Sequence, residues 1–360
     1  MDHSPHLLVA LSAHGYGHIS QTAPVINRLR ALRPSLRLTI ASHAPRALLR
    51  EQFDGAWELA HLENDIGMLM TSAFDVQRVA SADAYRELHR AWQHAVERSA
   101  QTLLALAPDL LLANVPYLQL AAAAHAGIPA VAMSSLNWAD IYQHFCGELP
   151  EASAIHAQIL AAYNSAACFL RLEPGMPMDT LLRRRPIGPV ARIGNTRRAH
   201  VRQQLHLDGA TRLVLVTLGG IATQVDIQHW PRLPGVHWLL PAAWKPNRAD
   251  TTGIESLAIP FPDLIRSCDA LIGKPGYGTF SEAACNATPM LYVKRDDWPE
   301  EPYLVDWLEQ HARCRELGRG EFERGELADA LEQLWATAER PRINPSGISD
   351  AAGYLAEEWF

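Results

Sequence analysis

Continuous apolar segments alternate with helical sequences along the chain, and this alternation is the feature that most constrains its fold. Amphipathic or alanine-rich helical sequences, such as TAPVINRLRAL at 22–32, separate the apolar segments. Strands that are apolar on both faces and alternate with helices predict a parallel sheet that is covered on both sides. The first series of predicted strands is HLLVALS (6–12), RLTIAS (37–42), PDLLLANV (108–115), IPAVAMSS (128–135) and ACFLRL (167–172).

A second series of the same kind follows a passage, 173–195, that is rich in proline, glycine and arginine. A chain of 360 residues is too long for one typical core, so we predict an α/β protein of two doubly wound, parallel-sheet domains. The strands of the second series are predicted at 212–220, 236–242, 269–276 and 289–295. The predicted boundaries are 1–175 for the first domain, 176–195 for a linker, 196–345 for the second domain and 346–360 for a final helix.

The composition excludes several classes of protein. A net charge of −7 argues against a general nucleic-acid-binding protein, because the phosphate backbone selects basic surfaces. Five cysteines without a CxxC pair indicate neither a disulfide framework nor a zinc site. With no recognisable signal sequence and no apolar run long enough to span a membrane, we expect a cytoplasmic protein.

The loop after the first predicted strand, SAHGYGHISQ (12–21), contains two histidines. Gly15 and Gly17 match the start of a GxGxxG dinucleotide motif, but Ser20 occupies its third position and no carboxylate ends the second strand. An NAD enzyme is therefore a poor fit. His14 and His18 lack a nearby Glu or Cys that would complete a metal site. A histidine in a strand-end loop is suited to act as a general base, and the alternative is that it only packs.

Two later strand-end loops are rich in glycine. In VTLGGIATQ (216–224), Gly219 and Gly220 allow a ligand to approach the backbone N–H groups; the alternative, which this loop alone favours, is a tight turn without a ligand.

The stretch LIGKPGYGTFSEAA (271–284) is more specific. Lys274 supplies a cation, Gly276 and Gly278 expose backbone donors, and Thr279 adds a hydroxyl at a helix start. This combination predicts a diphosphate site. Glu282, one turn into the helix, is placed to accept two hydroxyl protons from a ribose; the alternative is a carboxylate that only balances the helix dipole.

The pattern K-x-G-x-x-T-x-x-E at 274–282, followed by Pro289, resembles the donor-binding signature of the GT-B glycosyltransferases. It is similar to the motif of the secondary-product UDP-sugar transferases, which carry histidine in place of Lys274. It is also similar to that of the bacterial peptidoglycan N-acetylglucosaminyltransferase, which carries arginine there. The strongest resemblance is to the glycosyltransferase-like N-terminal region of plant L-arabinokinases, through GKPGYGTFSEA and KRDDWPEEP.

This resemblance implies the GT-B architecture, in which two Rossmann-like domains face each other across a cleft and the last helix returns to the first domain. It implies transfer of a sugar from a nucleotide-diphosphate sugar, a UDP-sugar by analogy, to a hydroxyl of an acceptor that the sequence does not identify. No metal and no cofactor is expected. Retaining members carry a glutamate where this chain has Lys274, so we expect inversion with His18 as base and His14 as its neighbour.

The resemblance also assigns the remaining site residues. Asn114 stands where many plant relatives orient the base with an aspartate, and Asp65 or Asp75 is the candidate replacement for that aspartate. The acceptor side is expected in segments that follow strand ends of the first domain, with Asn114, Ser135, Asn137 and Trp138 as its candidates; for Trp138 the alternative is core packing. The donor side is assigned to Gly219, Gly220, Phe261, Pro262, Lys274, Gly276, Tyr277, Gly278, Thr279, Glu282, Glu300 and Glu301.

Two other functions fit the same sequence. A non-catalytic nucleotide-sugar-binding module requires the residues from Lys274 to Glu282 but not His18. A non-hydrolysing UDP-sugar epimerase uses the same two-domain fold and converts its substrate without an acceptor.

Overall fold

The computed structural model describes residues 4–12, 16–219, 225–295 and 297–360. Contacts within the chain divide it into two compact units. Unit 1 comprises Met1–Thr71, Val76–Val190 and Ser346–Phe360, and unit 2 comprises Ser72–Asp75 and Ala191–Pro345.

Unit 1 is built on a parallel sheet that has seven strands within the described residues, in the order β3-β2-β1-β4-β5-β6-β7. The central strands are buried along their whole length, because helices cover both faces of the sheet. The strands are His6–Leu11 (β1), Arg37–Ala41 (β2), Glu58–Ala60 (β3), Leu110–Asn114 (β4), Ala130–Ser134 (β5), Cys168–Leu172 (β6) and Arg184–Ile187 (β7). Its helices are Gly17–Leu32 (α1), Arg46–Gln52 (α2), Arg78–Arg90 (α3), Trp92–Leu106 (α4), Tyr117–Ala126 (α5), Trp138–Cys146 (α6) and Ala152–Ser165 (α7).

Unit 2 repeats this architecture with a parallel sheet of six strands in the part of the chain that the structure describes, in the order β10-β9-β8-β11-β12-β13. The strands are Arg212–Thr217 (β8), Val236–Leu240 (β9), Thr251–Gly253 (β10), Ala270–Gly273 (β11), Met290–Tyr292 (β12) and Cys314–Glu316 (β13). The helices are Arg198–Gln204 (α8), Phe261–Ser267 (α9), Tyr277–Asn286 (α10), Glu301–His311 (α11), Arg319–Arg324 (α12) and Ala328–Ala336 (α13).

The last helix, Gly347–Glu358 (α14), belongs to unit 1, where it packs against α1 and β7. The Arg33 guanidinium at the end of α1 donates to the carbonyl oxygens of Ala356 and Phe360 at 2.9 and 3.0 Å. The bond to Ala356 satisfies a carbonyl group that the end of α14 leaves without an intrahelical partner.

The predicted architecture of two doubly wound parallel sheets is confirmed. Every strand predicted from an apolar run is present, whereas the four edge strands β3, β7, β10 and β13 were not predicted. Strand β7 corrects the predicted linker at 176–195, because it pairs in parallel with β6. It contains Arg184, Arg185 and Pro186, which are exposed, and only Ile187 is buried. An edge strand is held by its backbone, tolerates proline and needs no apolar face.

The order of the strands locates the candidate site. In unit 1 the order reverses between β1 and β4, and in unit 2 it reverses between β8 and β11. In doubly wound sheets ligands bind at the carboxyl ends of the strands at such a reversal. His18, at the start of α1, and Lys274, in the loop after β11, lie at these positions. No helix within the described ranges has both the length and the apolar content needed to cross a bilayer.

Candidate functional site

Lys274 lies between two glycines at the reversal in unit 2. Strands β8 and β11 are paired with Thr217 opposite Gly273, so the loops that follow them start side by side. A Cβ atom built at Gly219 would lie 3.7 Å from Lys274 Cε, and one built at Gly276 would lie 3.8 Å from Lys274 Nζ. Gly219 has a φ of +79°, which strongly favours glycine. The structure therefore brings together two loops that are more than 50 residues apart in sequence.

Helix α10 begins immediately after this lysine. Gly276 is the N-cap residue in an extended conformation, and the helix starts at Tyr277. Tyr277 is buried, whereas Gly278 and Thr279 are half-buried in the first turn. The first N–H groups of a helix have no intrahelical acceptor and carry a partial positive charge, so this terminus attracts an anion.

The charge on Lys274 depends on its surroundings. Burial and the neighbouring Arg295 guanidinium lower the pKa of Lys274 to about 7, although Glu300 and Glu301 act in the opposite direction. Because part of the Lys274 side chain is exposed to water, the shift of its pKa is limited. An anion bound beside the ammonium group would restore its charge.

Glu282 lies in the second turn of α10 and is buried. Its Oε1 lies 3.5 Å from Nε of Arg192, which belongs to the segment entering unit 2. Asn286 fixes that segment, because its amide donates to the Arg192 carbonyl at 3.0 Å and accepts from the Gly194 N–H at 2.9 Å. Burial raises the pKa of Glu282, and Arg192 opposes that increase. Arg192 therefore favours the ionised carboxylate, which is the form that accepts hydrogen bonds from two hydroxyl groups.

Glu301 and Arg295 form a buried ion pair. Glu301 Oε2 accepts from Arg295 Nε at 3.1 Å, and both carboxylate oxygens accept from the Arg295 backbone N–H at 3.1 and 3.2 Å. Arg295 Nη2 donates to the carbonyl oxygen of Pro275 at 3.0 Å. The guanidinium carbon lies 4.7 Å from the centre of the Trp298 ring, whose Nε1 donates to Glu300 at 3.2 Å. Two glutamates predicted to hold the donor sugar thus have interactions inside the protein.

Phe261 and Pro262 start helix α9, which packs against α10. Pro262 is buried and Phe261 is half-buried. A Cβ atom at Gly194 would lie 2.1 Å from the Pro262 carbonyl oxygen, so only glycine permits this approach. Arg266 also donates to the Gly194 carbonyl at 2.9 Å. Contacts through Gly194 and Asn286 thus connect the predicted base-binding loop to the helix that carries Glu282.

In unit 1, His18 and Asn114 meet at the reversal of strand order. Asn114 ends β4, and His18 is the second residue of α1. His18 Nδ1 lies 2.8 Å from Asn114 Oδ1, and both residues are buried. The Asn114 amide nitrogen donates to Gln21 Oε1 at 3.1 Å and to Thr22 Oγ1 at 2.8 Å. These two bonds orient the amide so that its oxygen faces the histidine.

The orientation of Asn114 determines the tautomer of His18. Since Asn114 Oδ1 accepts a hydrogen bond, the proton lies on Nδ1 and the lone pair on Nε2. Gln21 extends the network by donating to Ser135 Oγ at 2.8 Å. The imidazole of His18 therefore has the protonation pattern that a general base requires.

The other residues predicted for the acceptor side have different surroundings. The Trp138 ring centre lies 6.2 Å from that of His18, so this residue adjoins the histidine. Asn137 is instead the N-cap of α6, and its Oδ1 accepts from the Asp140 N–H at 2.9 Å. A side chain that satisfies a helix terminus has a structural explanation.

The predicted replacement for the orienting aspartate is wrong. Asp65 accepts from the Leu118 N–H at 3.2 Å, at the start of α5. Asp75 belongs to unit 2 and pairs with Arg319 at 3.0 Å. Long-range packing, which the sequence does not display, directs both carboxylates elsewhere. Two further predicted residues, His14 and Gly220, lie outside the described residues.

Sequence reasoning did not assign four residues of these networks. Arg295 lies within the recognised KRDDWPEEP stretch and was given no role. Arg192 lies in the predicted linker. Gln21 and Thr22 lie in α1, one turn after His18. The one local signal was the position of Gln21 and Thr22 three and four residues after His18, which places them on the same side of a helix.

Comparison of the sequence with known proteins finds similarity to an L-arabinokinase. No protein-family profile matches the chain. The chain is 26% identical over 342 residues, or 92% of its length, to the L-arabinokinase of Arabidopsis thaliana. It spans 32% of the length of that protein.

Comparison of the structure finds solved glycosyltransferases that match nearly the whole chain. The glycotransferase of kitacinnamycin superposes with a TM-score of 0.63 at 16% identity, covering 99% of this chain and 95% of that one. The glycosyltransferase VinC in complex with dTDP gives 0.56 at 15% identity, covering 98% and 95%. A UDP-glucosyltransferase from Polygonum tinctorium gives 0.58 at 13% identity, covering 100% and 99%. The chain therefore has the GT-B fold and resembles part of a plant L-arabinokinase in sequence.

Proposed function

We propose that this protein is an inverting glycosyltransferase that moves a sugar from a nucleotide-diphosphate sugar to an acceptor hydroxyl without a metal. One observation carries the proposal. Lys274, held between Gly219 and Gly276, lies at the start of α10 where the strand order reverses, and the buried Glu282 follows on the same helix.

The donor's diphosphate is assigned to Lys274 and the first turn of α10, since a cation and helix N–H groups together favour an anion. The ribose is assigned to the ionised Glu282 and the base to the loop at Phe261 and Pro262. Similarity in fold to VinC, which was solved with dTDP, and to a UDP-glucosyltransferase supports a nucleoside diphosphate. Between these nucleotides we propose a UDP-sugar.

The proposed reaction is a single displacement. His18 Nε2 takes the proton of the acceptor hydroxyl, and the oxygen forms a bond to the anomeric carbon of the donor sugar. The bond from that carbon to the diphosphate oxygen breaks, and the diphosphate leaves with the electron pair. Lys274 and the start of α10 stabilise the charge that develops on it, which is a role that a metal fills elsewhere. Attack opposite the leaving group inverts the anomeric configuration.

The first test is calorimetric titration of the protein with UDP, GDP, dTDP and their sugar conjugates. We expect selective binding by one nucleotide series, followed by transfer to a hydroxyl acceptor in a screen with that donor. Transfer should persist in EDTA and give a product of inverted configuration. The absence of binding by any nucleotide would reject the proposal.

The same assays separate the other two functions. A binding module would retain nucleotide affinity, show no transfer with any acceptor and be unaffected by His18→Ala. An epimerase would convert a UDP-sugar without acceptor. We expect neither behaviour, because the hydrogen bonds of Asn114 to His18, Gln21 and Thr22 orient the histidine as the proposed base requires.

A further inference from the structure

The loop of three residues between β11 and α10, Lys274–Gly276, receives a hydrogen bond from a side chain that follows the neighbouring strand, β12. We call this loop the phosphate turn. Arg295 follows the end of β12, and its Nη2 donates to the Pro275 carbonyl at 3.0 Å. Arg295 itself is buried, and its side-chain conformation is fixed because Glu301 accepts hydrogen bonds from both its backbone N–H and its Nε.

The bond to Pro275 determines where the next N–H group points. A trans peptide is planar, and its C=O and N–H groups point in opposite directions. When Arg295 holds the Pro275 carbonyl on one side of the turn, the Gly276 N–H is directed to the other side. Gly276 is also the N-cap of α10, so this peptide sets the direction of the first donor of the proposed diphosphate site.

We propose that Arg295 is a positioning residue for the phosphate turn, and that Glu301 binds Arg295 rather than the donor sugar. This inference rests on the proposed function, and it corrects the role that the resemblance gives to Glu301. Both carboxylate oxygens of Glu301 accept hydrogen bonds within the protein, and the Glu301 side chain is only 6% exposed.

An arginine is required for this role. The guanidinium is a planar fork whose nitrogens bond in fixed, different directions, so one side chain reaches Pro275 and Glu301 simultaneously. A lysine ammonium has three donors on one nitrogen and lacks the fixed, extended fork, so it holds these two acceptors less well. Trp298, stacked on the guanidinium at 4.7 Å, further restricts its plane.

The charges of the cluster suit a phosphate ligand. Arg295 places a second cation near Lys274, while the negative charges of Glu300 and Glu301 act on Lys274 in the opposite direction. Removing Arg295 would therefore remove orientation and charge together. Its loss should affect binding of the phosphates and leave binding of the nucleoside unchanged.

The test compares affinities for UDP, uridine and UDP-glucose, or the dTDP series if the nucleotide screen selects it. We expect Arg295→Met to raise the Kd for UDP by about tenfold or more, as for a lost charged hydrogen bond, and to leave the Kd for uridine unchanged. Arg295→Lys should recover only part of the UDP affinity. Glu301→Gln should change the Kd values for UDP and UDP-glucose by the same factor.

Arg198→Met is the matched control, because Arg198 also joins an aspartate, Asp269, to backbone carbonyls, but at the amino end of β11. Arg198→Met should alter neither the ratio of UDP to uridine affinity nor the ratio of UDP to UDP-glucose affinity. Equal weakening of UDP and uridine by Arg295→Met would show a general structural role and overturn the inference. Weakening of UDP-glucose alone by Glu301→Gln would also overturn it.

The conservative variants Arg295→Lys and Glu301→Gln keep the test decisive if Arg295→Met does not fold. A wild-type protein that binds no nucleotide would reject the proposed function and this inference together. A wild-type protein that binds UDP, with variants that leave the ratio of UDP to uridine affinity unchanged, would reject this inference alone.

Discussion

His18 Nδ1 lies 2.8 Å from Asn114 Oδ1, and this contact joins the first helix to the end of the fourth strand, 96 residues later. It leaves the lone pair of the imidazole on Nε2, as a base requires. The contact also shows how an amide can replace a carboxylate. An asparagine fixes the tautomer, but it supplies no charge to stabilise the imidazolium that forms during proton transfer.

We expect His18→Ala to lower kcat of transfer by about 10²–10⁴-fold, the usual contribution of a general base, with nucleotide affinity unchanged. Asn114→Ala should also lower kcat, because the ring loses the acceptor that orients it. Asn114→Asp should retain more activity than Asn114→Ala, since a carboxylate accepts the same hydrogen bond. Steady-state kinetics with an identified acceptor measures this order.

The tautomer is measurable without an acceptor. The ¹⁵N chemical shifts of the His18 ring in the wild-type protein should show a protonated Nδ1. His6→Ala is the control for stability, because His6 is also buried and bonds Thr39 at 2.8 Å, but at the start of β1. A loss of kcat in His6→Ala as large as that in His18→Ala would contradict the catalytic role.

Glu282 should make nucleotide affinity depend on acid. Burial raises the pKa of Glu282 above its ordinary value of 4.5, and only the ionised carboxylate accepts hydrogen bonds from both ribose hydroxyls. As pH decreases, nucleotide affinity should therefore begin to fall at a pH above 4.5. Arg192→Met should move this decrease to higher pH, because Arg192 lowers the pKa. Glu282→Gln should remove it and weaken binding by about 1–3 kcal/mol at neutral pH. Titration calorimetry across pH measures each effect.

The control for Glu282 is a nucleotide without ribose hydroxyls. Binding of 2′,3′-dideoxyuridine diphosphate should be weaker than binding of UDP in the wild type and should not change further in Glu282→Gln. If the variant weakens both nucleotides equally, then Glu282 acts on the helix rather than on the ribose.

Lys274 should make diphosphate binding depend on pH in the opposite direction. Burial lowers its pKa before binding, and a bound diphosphate favours the charged form, so binding takes up a proton at a pH above this lowered pKa. Affinity should decrease with rising pH by up to about tenfold per pH unit. Lys274→Arg should lack this dependence, because a guanidinium stays protonated. Calorimetry in two buffers of different ionisation enthalpy counts the protons.

Lys294→Arg is the matched control, since Lys294 is exposed and pairs with Glu316 near the same sheet. It should leave both the affinity and the proton uptake unchanged. A proton uptake that persists in Lys274→Arg would assign the titration to another group.

Asp65 should make the stability of unit 1 decrease with pH. Burial raises its pKa to about 7, so the folded state holds a proton that the unfolded state releases near pH 4. The contribution of Asp65 to the free energy of unfolding is fully present below pH 4 and is lost as pH rises through 7. This loss is on the order of 2–4 kcal/mol. Asp65→Asn should flatten this dependence because it keeps an acceptor for the Leu118 N–H. Urea unfolding between pH 5 and pH 8 measures the change.

Asp83→Asn serves as the comparison for Asp65→Asn, because Asp83 lies on the exposed face of α3. Its unfolding should keep the pH dependence of the wild type. A free energy of unfolding that is flat between pH 5 and pH 8 in the wild type would contradict the prediction for Asp65.

The sequence predicted the central strands and missed the edges for one physical reason. A strand buried on both faces requires a continuous apolar run, such as LLLAN in β4, and such a run is visible locally. Edge strands such as RRPI in β7 and TTG in β10 are held by backbone pairing with one neighbour. Only Ile187 of β7 is buried, and the residues of β10 are half-buried, so neither strand is constrained to a continuous apolar pattern.

The candidate site divides in the same way. The order of Lys274, Gly276 and Glu282 was readable from the sequence because a turn and a helix fix the spacing of residues within one loop. Partners that meet across strands were not readable: Arg295 with Pro275, Arg192 with Glu282, and the carboxylates of Asp65 and Asp75. Local spacing determines a motif, whereas the packing of distant segments decides which charge or hydrogen bond each of its residues meets.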